Sequence, residues 1–125
     1  FSNIKNLLSK SDVVCCCINY TEKNENFFSK KLFKLMKKGS YFVNTSRGEI
    51  VVEKDLIKFL KNNTIRAAGV DVVRNEHSLS VKKNLLIEYA KNNNNLIVTP
   101  HIAGLTYDSE TKAAKIATNF VFKNL

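Results

Sequence analysis

The chain has 125 residues, a formal net charge of +9, 44% hydrophobic residues and 25% charged residues. This length suits one domain or part of one and excludes two, and the composition excludes disordered and fibrous proteins. The chain does not open with a basic segment followed by an apolar stretch. We therefore predict no secretion signal and no membrane partner, and we expect a cytoplasmic location.

The positive charge comes almost entirely from lysine, and a strongly basic chain can indicate a nucleic-acid partner. The lysines fall where amphipathic helices face water, as in Lys30, Lys31, Lys34, Lys37 and Lys38, without the interleaved aromatic residues of a base-stacking surface. We therefore expect no nucleic-acid partner. A nucleic-acid-binding domain stays as an alternative, which predicts binding that weakens steeply with salt.

The first predicted strand covers residues 12–18, an apolar stretch that contains Cys15, Cys16 and Cys17. Adjacent strand side chains point to opposite faces, so these three thiols cannot converge on one metal ion, and the sequence has no second Cys or His cluster. We expect buried free thiols in a reducing compartment and no metal site.

Three further buried strands are predicted at residues 41–44, 65–72 and 96–99. Helical spacing predicts a helix before Gly39, a second between the middle strands and a long terminal helix, with another possible within 81–91 and an exposed turn at 92–95. The residues that carry these three patterns are Phe28, Leu32, Leu35 and Met36; Leu56, Phe59 and Leu60; and Ala113, Ile116, Ala117, Phe120 and Val121, preceded by Asp108 and Glu110.

Strands that alternate with helices at this interval predict an α/β fold, with a parallel sheet, right-handed crossovers and helices on the faces of the sheet. In such sheets ligands bind beyond the carboxyl ends of the strands. The candidate site residues are therefore those that follow each strand, namely Asn19 to Thr21, Thr45 to Gly48, Asp71 to Glu76 and Pro100 to Gly104.

Three of these positions carry complementary chemistry. The guanidinium of Arg47 can offer two parallel donors to a carboxylate, or form a surface ion pair. The imidazole of His101 can exchange a proton near neutral pH, or be a structural histidine. Glu76 can fix the tautomer of that imidazole, or be an ordinary loop carboxylate.

Three motifs in chain order resemble those of the D-isomer-specific 2-hydroxyacid dehydrogenases. The motifs are Asn44-Thr45-Ser46-Arg47-Gly48; Gly69-Val70-Asp71-Val72 with Glu76 five residues after Asp71; and Thr99-Pro100-His101-Ile102-Ala103-Gly104. The strand from Ser11, the turn that ends at Gly39 and the entry into the last helix at Leu105-Thr106 are also similar, so the resemblance spans nearly the whole chain.

The resemblance implies reduction of a 2-keto acid by a nicotinamide cofactor, or the reverse reaction. It implies that Arg47 binds the substrate carboxylate, that His101 donates the proton as hydride arrives, and that Glu76 pairs with His101. It further implies that NAD, more usual in the family than NADP, contacts a larger set of residues. These are Asn19 on the adenosine side and, on the nicotinamide side, Asp71, Thr45, Ser46, His101, Ala103 and Gly104.

The resemblance implies a partial Rossmann-type doubly wound sheet, the second half of a dinucleotide-binding domain that spans residues 1–125. The sequence contains neither the glycine-rich phosphate loop nor the acidic residue after the second strand of that fold, so we expect the phosphate-loop half and the substrate domain to lie outside it. A homodimer is a further expectation. The alternative function is a cofactor-sensing interaction module without turnover.

Two positions depart from the family pattern. His77 follows Glu76 where the family usually has Pro, so the turn that aims the carboxylate is expected to be looser. Cys17 and Asn19 stand where the family often has His and Pro, which weakens the predicted adenosine-side contacts. The long polar segment between Glu76 and His101 is interpreted as a surface insertion.

Overall fold

Four parallel strands form one sheet in the computed structural model of the chain, which describes residues 3–78 and 80–123. The strands are β1 Val13–Cys16, β2 Ser40–Asn44, β3 Ile65–Val70 and β4 Leu96–Val98, and they lie side by side in that order. The predicted α/β fold and all four predicted strands are confirmed. Three of the strands end earlier than predicted, because residues such as Asp71 and Thr99 already belong to the loops at the edge of the sheet.

The helices alternate with the strands. They are α1 Ile4–Lys10, α2 Lys30–Phe33, α3 Glu53–Lys61, α4 Leu85–Ala90 and α5 Tyr107–Lys123, with short 3-10 helices at Glu22–Asn24, Gly48–Ile50 and Val81–Lys83. The helix predicted before Gly39 is shorter than its apolar spacing indicated, because Phe28 instead forms a parallel bridge with Val51. Helix α1 was not predicted, although the side chain of Asn3 caps it by accepting a hydrogen bond from the backbone N–H of Asn6.

The hydrophobic core lies on one face of the sheet. Aromatic rings dominate its centre: the rings of Phe28 and Phe33 lie 4.9 and 5.3 Å from that of Phe42, and Phe59 lies 5.7 Å from Phe33. Helices α1 to α4 each contribute at least one buried side chain to the same cluster. Burial of these large rings supplies much of the free energy that holds the helices against the sheet.

The opposite face of the sheet is open to solvent. Register pairs Val13 with Tyr41, and both are exposed, as is Ile97 on β4 at 66%. The prediction that the strands are buried on both faces is therefore wrong. Among the residues that the structure describes, the helices that pack into the core all lie on one face of the sheet. Helix α5 forms as predicted, but its apolar stripe contributes no buried residue.

Only one of the three cysteines is buried. Cys16 is 2% exposed and points into the core, whereas Cys15 and Cys17 are exposed on the other face, and all three are free. Burial raises the pKa of the Cys16 thiol, so it stays protonated. The prediction of burial is correct for Cys16 alone, because side chains alternate along β1.

Within the part of the chain that the structure describes, α5 is the longest helix, and neither it nor the others combine the length and apolarity that a membrane span needs.

Candidate active site

The four strands end at the same edge of the sheet, and polar side chains build the turns there. Asn44, the last residue of β2, is only 1% exposed, and its amide clamps the following turn from both sides. Its Nδ2 donates to the carbonyl of Arg47 at 3.1 Å, and its Oδ1 accepts from the backbone N–H of Ser46 at 3.1 Å. The Oγ of Ser46 donates to the carbonyl of Ile18, which ties the turn to the end of β1.

Gly48 allows the turn after β2 to touch the loop after β3 through the backbone. A Cβ atom at this position would lie 2.1 Å from the carbonyl carbon of Val73 and 2.3 Å from the backbone nitrogen of Arg74. These distances are far inside van der Waals contact, so only glycine fits. The contact fixes the loop that carries Glu76 against the turn that carries Arg47.

Glu76 and His101 form a close pair. The Oε1 atom of Glu76 lies 2.7 Å from Nδ1 of His101, and the two side chains are 17% and 40% exposed. With Nδ1 bound to the carboxylate, Nε2 on the opposite side of the ring is the nitrogen able to exchange a proton with a ligand. A second imidazole, that of His77, places its Nε2 atom 3.5 Å from the same carboxylate oxygen and is 93% exposed.

Asp71 holds the backbone that presents His101. Its carboxylate is buried and accepts hydrogen bonds from the hydroxyl of Thr99 and from the backbone N–H groups of Ile102 (3.0 Å) and Ala103 (2.9 Å). His101 itself adopts a left-handed backbone conformation, with φ of 55°, directly before the two N–H groups that Asp71 binds. Burial alone would raise the pKa of Asp71, but the hydrogen bonds outweigh burial and lower it, so the carboxyl is ionised.

Arg47 lies beside Glu76. Its side chain is exposed, its Nη1 donates to the carbonyl of Ser46 at 2.7 Å, and it lines a recess of about 410 Å³ together with Glu76 and His77. Glu76 and His77 also line a neighbouring cavity of about 550 Å³ that includes Asp71 and His101 and has mainly apolar walls. The structure thus brings the three predicted chemical groups to one edge of the sheet.

The remaining predicted cofactor contacts are spread along the same edge. The hydroxyl of Thr45 lies 3.7 Å from the Cys17 sulfur, and the carbonyl of Asn19 accepts from Nδ2 of Asn24 at 2.7 Å within its own loop. Gly104 has open space where a Cβ would lie, and its carbonyl accepts from the Oγ of Ser109. These groups line the edge, and the contacts of Asn19 and Gly104 are both with residues five positions further along the chain.

Two residues that the sequence interpretation did not single out support the site. Glu53 is 7% exposed and accepts hydrogen bonds from the backbone N–H of Arg74 and from Nδ2 of Asn84, at 2.9 and 2.8 Å. Arg74 joins three loops through its guanidinium. Arg74 could have been noticed as the arginine closest to Glu76 in sequence, but Glu53 resembles any acidic residue in the first turn of a helix.

Comparison with known proteins agrees with this geometry. Residues 1–103 match the profile of the D-isomer specific 2-hydroxyacid dehydrogenase, NAD binding domain. A protein of Staphylococcus aureus (strain MRSA252), provisionally named a 2-hydroxyacid dehydrogenase, is 32% identical over 119 residues, which is 95% of this chain and 35% of that protein. The chain therefore spans about a third of the length of this relative.

Solved structures show the same arrangement of strands and helices. The D-lactate dehydrogenase of Aquifex aeolicus, complexed with NAD and lactic acid, superposes with a TM-score of 0.78 at 30% identity, over 98% of this chain and 40% of that one. The D-lactate dehydrogenase of Lactobacillus jensenii with NAD+ gives a TM-score of 0.79 at 30% identity, over 94% of this chain and 38% of that one.

The parallel sheet, with its polar groups at the carboxyl edge, defines a nucleotide-binding α/β domain of the Rossmann type. More particularly, the chain belongs to the NAD-binding domain family of the D-isomer specific 2-hydroxyacid dehydrogenases. NAD is the cofactor for which this domain family is named.

Proposed function

We propose that this chain supplies the proton-transfer and carboxylate-binding groups of an NAD-dependent oxidoreductase that interconverts D-2-hydroxy acids and 2-keto acids. The single observation that carries the proposal is the 2.7 Å contact between Nδ1 of His101 and the carboxylate of Glu76. This contact leaves Nε2 as the acid and base for a bound ligand. The chain spans 35% of the S. aureus relative, so the activity belongs to a longer protein in this proposal.

Each of the three residues has one role. His101 donates a proton from Nε2 to the oxygen of the keto group, or accepts it in the reverse direction. Glu76 holds the ring in the tautomer that carries a proton on Nδ1 and stabilises the imidazolium by its charge. Arg47, exposed at the recess that Glu76 also lines, binds the substrate carboxylate through its guanidinium.

The residues at this edge fit NAD. The Oδ2 atom of Asp71 accepts one hydrogen bond, from Ala103, and so retains capacity for an amide donor such as the nicotinamide carboxamide. Open space at Gly104 and the exposed hydroxyl of Thr45 add room and a polar contact, while Ser46, His101, Ala103 and Asn19 complete the proposed cofactor-binding set. When bound, NAD supplies or accepts the hydride.

The test is an assay of the protein that contains this chain, in which NADH oxidation is followed with a panel of 2-keto acids. We expect His101→Ala to lower kcat by about 10²- to 10⁴-fold, the usual contribution of a general acid. Arg47→Ala should chiefly raise KM, and Glu76→Gln should lower kcat, with folding of each variant checked by circular dichroism. Near-normal turnover in the folded His101 variant would refute the mechanism.

The competing function is a sensing module that binds the dinucleotide and has lost turnover. It predicts normal NADH binding by the wild-type protein but no oxidation with any keto acid of the panel. The clustering of Arg47, Glu76 and His101 at one edge favours the enzyme, because a sensor needs no proton donor.

We propose in addition that the protein works as a cytoplasmic homodimer. Light scattering on the protein at several concentrations tests the dimer, and a mass of one protomer throughout would exclude it.

A further inference from the structure

We propose that Arg74 is a positioning residue for the Glu76–His101 pair, through which the loop after β1 and the turn after β2 hold the loop that carries Glu76. Arg74 stands two residues before Glu76, and its side chain is 27% exposed. What the pair does rests on the proposed function, whereas the positioning itself rests on contacts within this chain.

The guanidinium of Arg74 joins two other loops. Its Nη1 donates to Oε1 of Glu25 at 2.8 Å, and its Nη2 donates to Oδ1 of Asn26 at 2.6 Å, both in the loop after β1. Nη2 also donates to the carbonyl of Glu49 at 2.8 Å, in the turn that follows Arg47. A planar guanidinium fixes the angles between its partners as well as their distances, which a lysine ammonium cannot do.

The backbone of the same loop is held from a second side. The N–H of Arg74 donates to the buried carboxylate of Glu53 at 2.9 Å, and the N–H of Asn75 donates to Oε1 of Glu49 at 3.3 Å. Asn75 adopts a left-handed backbone, with φ of 55°, immediately before Glu76. The direction in which Glu76 leaves the loop is therefore set by these two residues and their partners.

Arg74 also connects this loop to the segment that contains Asn19. The carbonyl of Glu49 accepts both the Nη2 of Arg74 and the backbone N–H of Asn26, the latter at 2.9 Å. Two residues earlier, Asn24 donates through Nδ2 to the carbonyl of Asn19 at 2.7 Å. Hydrogen bonds thus link the loop after β1 and the turn after β2 to Arg74 and Asn75, the two residues directly before Glu76.

The test is the tautomer of His101, measured by ¹⁵N–¹H NMR at pH 8 on the 125-residue chain. The chain has two histidines, so a His77→Gln variant assigns the signals. In the wild type the contact with Glu76 should hold the proton on Nδ1. We expect Arg74→Ala to move the ring toward the Nε2–H tautomer, because the freed loop lets Glu76 move away, and Arg74→Lys to restore the wild-type signal only in part.

Arg66→Ala is the matched control. Arg66 is exposed on β3 and, within residues 3–78 and 80–123, its side chain makes no hydrogen bond or ion pair, so the tautomer of His101 should stay as in the wild type. If Arg74 only stabilised the fold, Arg74→Ala would lower Tm without changing the tautomer. A folded Arg74→Ala chain with the wild-type tautomer would overturn the proposal.

If Arg74→Ala fails to fold, Glu25→Ala replaces it. This change removes one partner of the Arg74 guanidinium, the carboxylate of Glu25, whose side chain is 41% exposed. It should shift the tautomer equilibrium of His101 in the same direction by a smaller amount. An unchanged tautomer in Glu25→Ala would then refute the proposal. A wild-type chain with the proton on Nε2 of His101 would refute the Glu76–His101 contact and, with it, the proposed function. A negative result in the Arg74 variants alone would refute the positioning role of Arg74 and leave the proposed function standing.

Discussion

Gly48 determines how closely the turn after β2 approaches the loop after β3. Because a methyl group there would overlap the backbone of Val73 and Arg74, Gly48→Ala should destabilise the fold by about 1–3 kcal/mol, the usual cost of overpacking. Urea denaturation measures this change in the free energy of unfolding. Gly69→Ala is the control, since Gly69 has open space where its Cβ would lie. Equal stability of the two variants would contradict the close contact.

Asp71 should make the stability of the fold depend on pH in the acid range. Its pKa is lowered, so its contribution is complete above its unfolded pKa of about 3.9 and is lost as pH falls through the lower folded value. At pH 6 we expect Asp71→Asn to be less stable by about 1.5–3 kcal/mol, the range for hydrogen bonds to a charged group. Below about pH 4 the two curves should begin to converge, and they should meet once the pH has fallen below the folded pKa. Thermal unfolding from pH 2 to 7 tests this, and parallel curves would contradict it.

At the scale of elements, Asn84 links helix α4 to α3. Its Oδ1 caps α4 by accepting from the backbone N–H of Leu86 at 2.9 Å, and its Nδ2 donates to both carboxylate oxygens of Glu53. Asn84→Ala should lower the free energy of unfolding by about 0.5–2 kcal/mol, as loss of a helix cap does.

Asn84→Asp distinguishes the two roles of this residue. Aspartate is an equally good cap, but here it would place a second carboxylate against Glu53, so it should also destabilise. Asn3→Asp, at the exposed cap of α1, should be nearly neutral. If Asn84→Asp proved as neutral as Asn3→Asp, the bond to Glu53 would contribute nothing measurable.

The strands could be predicted because each is a short apolar stretch between polar residues, and their parallel order placed Arg47, Glu76 and His101 at one edge. Helix α1 was missed because seven residues carry a weak periodic signal. The network around Arg74 could not be predicted, because its partners at positions 25, 26 and 49 are brought close only by the fold. Likewise, the hydrogen bonds from the N–H groups of residues 102 and 103 to Asp71 could not be predicted, because they depend on backbone geometry.

For the molecule as a whole, the open face of the sheet should be visible to solvent probes. Parallel sheets are usually covered on both faces, and here Ile97 is 66% exposed and Tyr41 40%. We expect the chain to bind the dye ANS, and Ile97→Thr to reduce its fluorescence, because threonine keeps the β-branched shape while removing apolar surface. Equal fluorescence in the wild type and the variant would show that this face is covered in solution.

Ile97 lies on the open face of the sheet, where its register partner is Gly69, whereas the atoms that a Cβ at Gly48 would meet belong to the backbone of Val73 and Arg74. Free-energy changes at such separate positions usually add within about 0.3–0.5 kcal/mol. The free energy of unfolding of the double variant Ile97→Thr with Gly48→Ala should therefore fall by the sum of the decreases in the two single variants. A layer that packs on the open face of the sheet could then vary in sequence without disturbing the contact between Glu76 and His101.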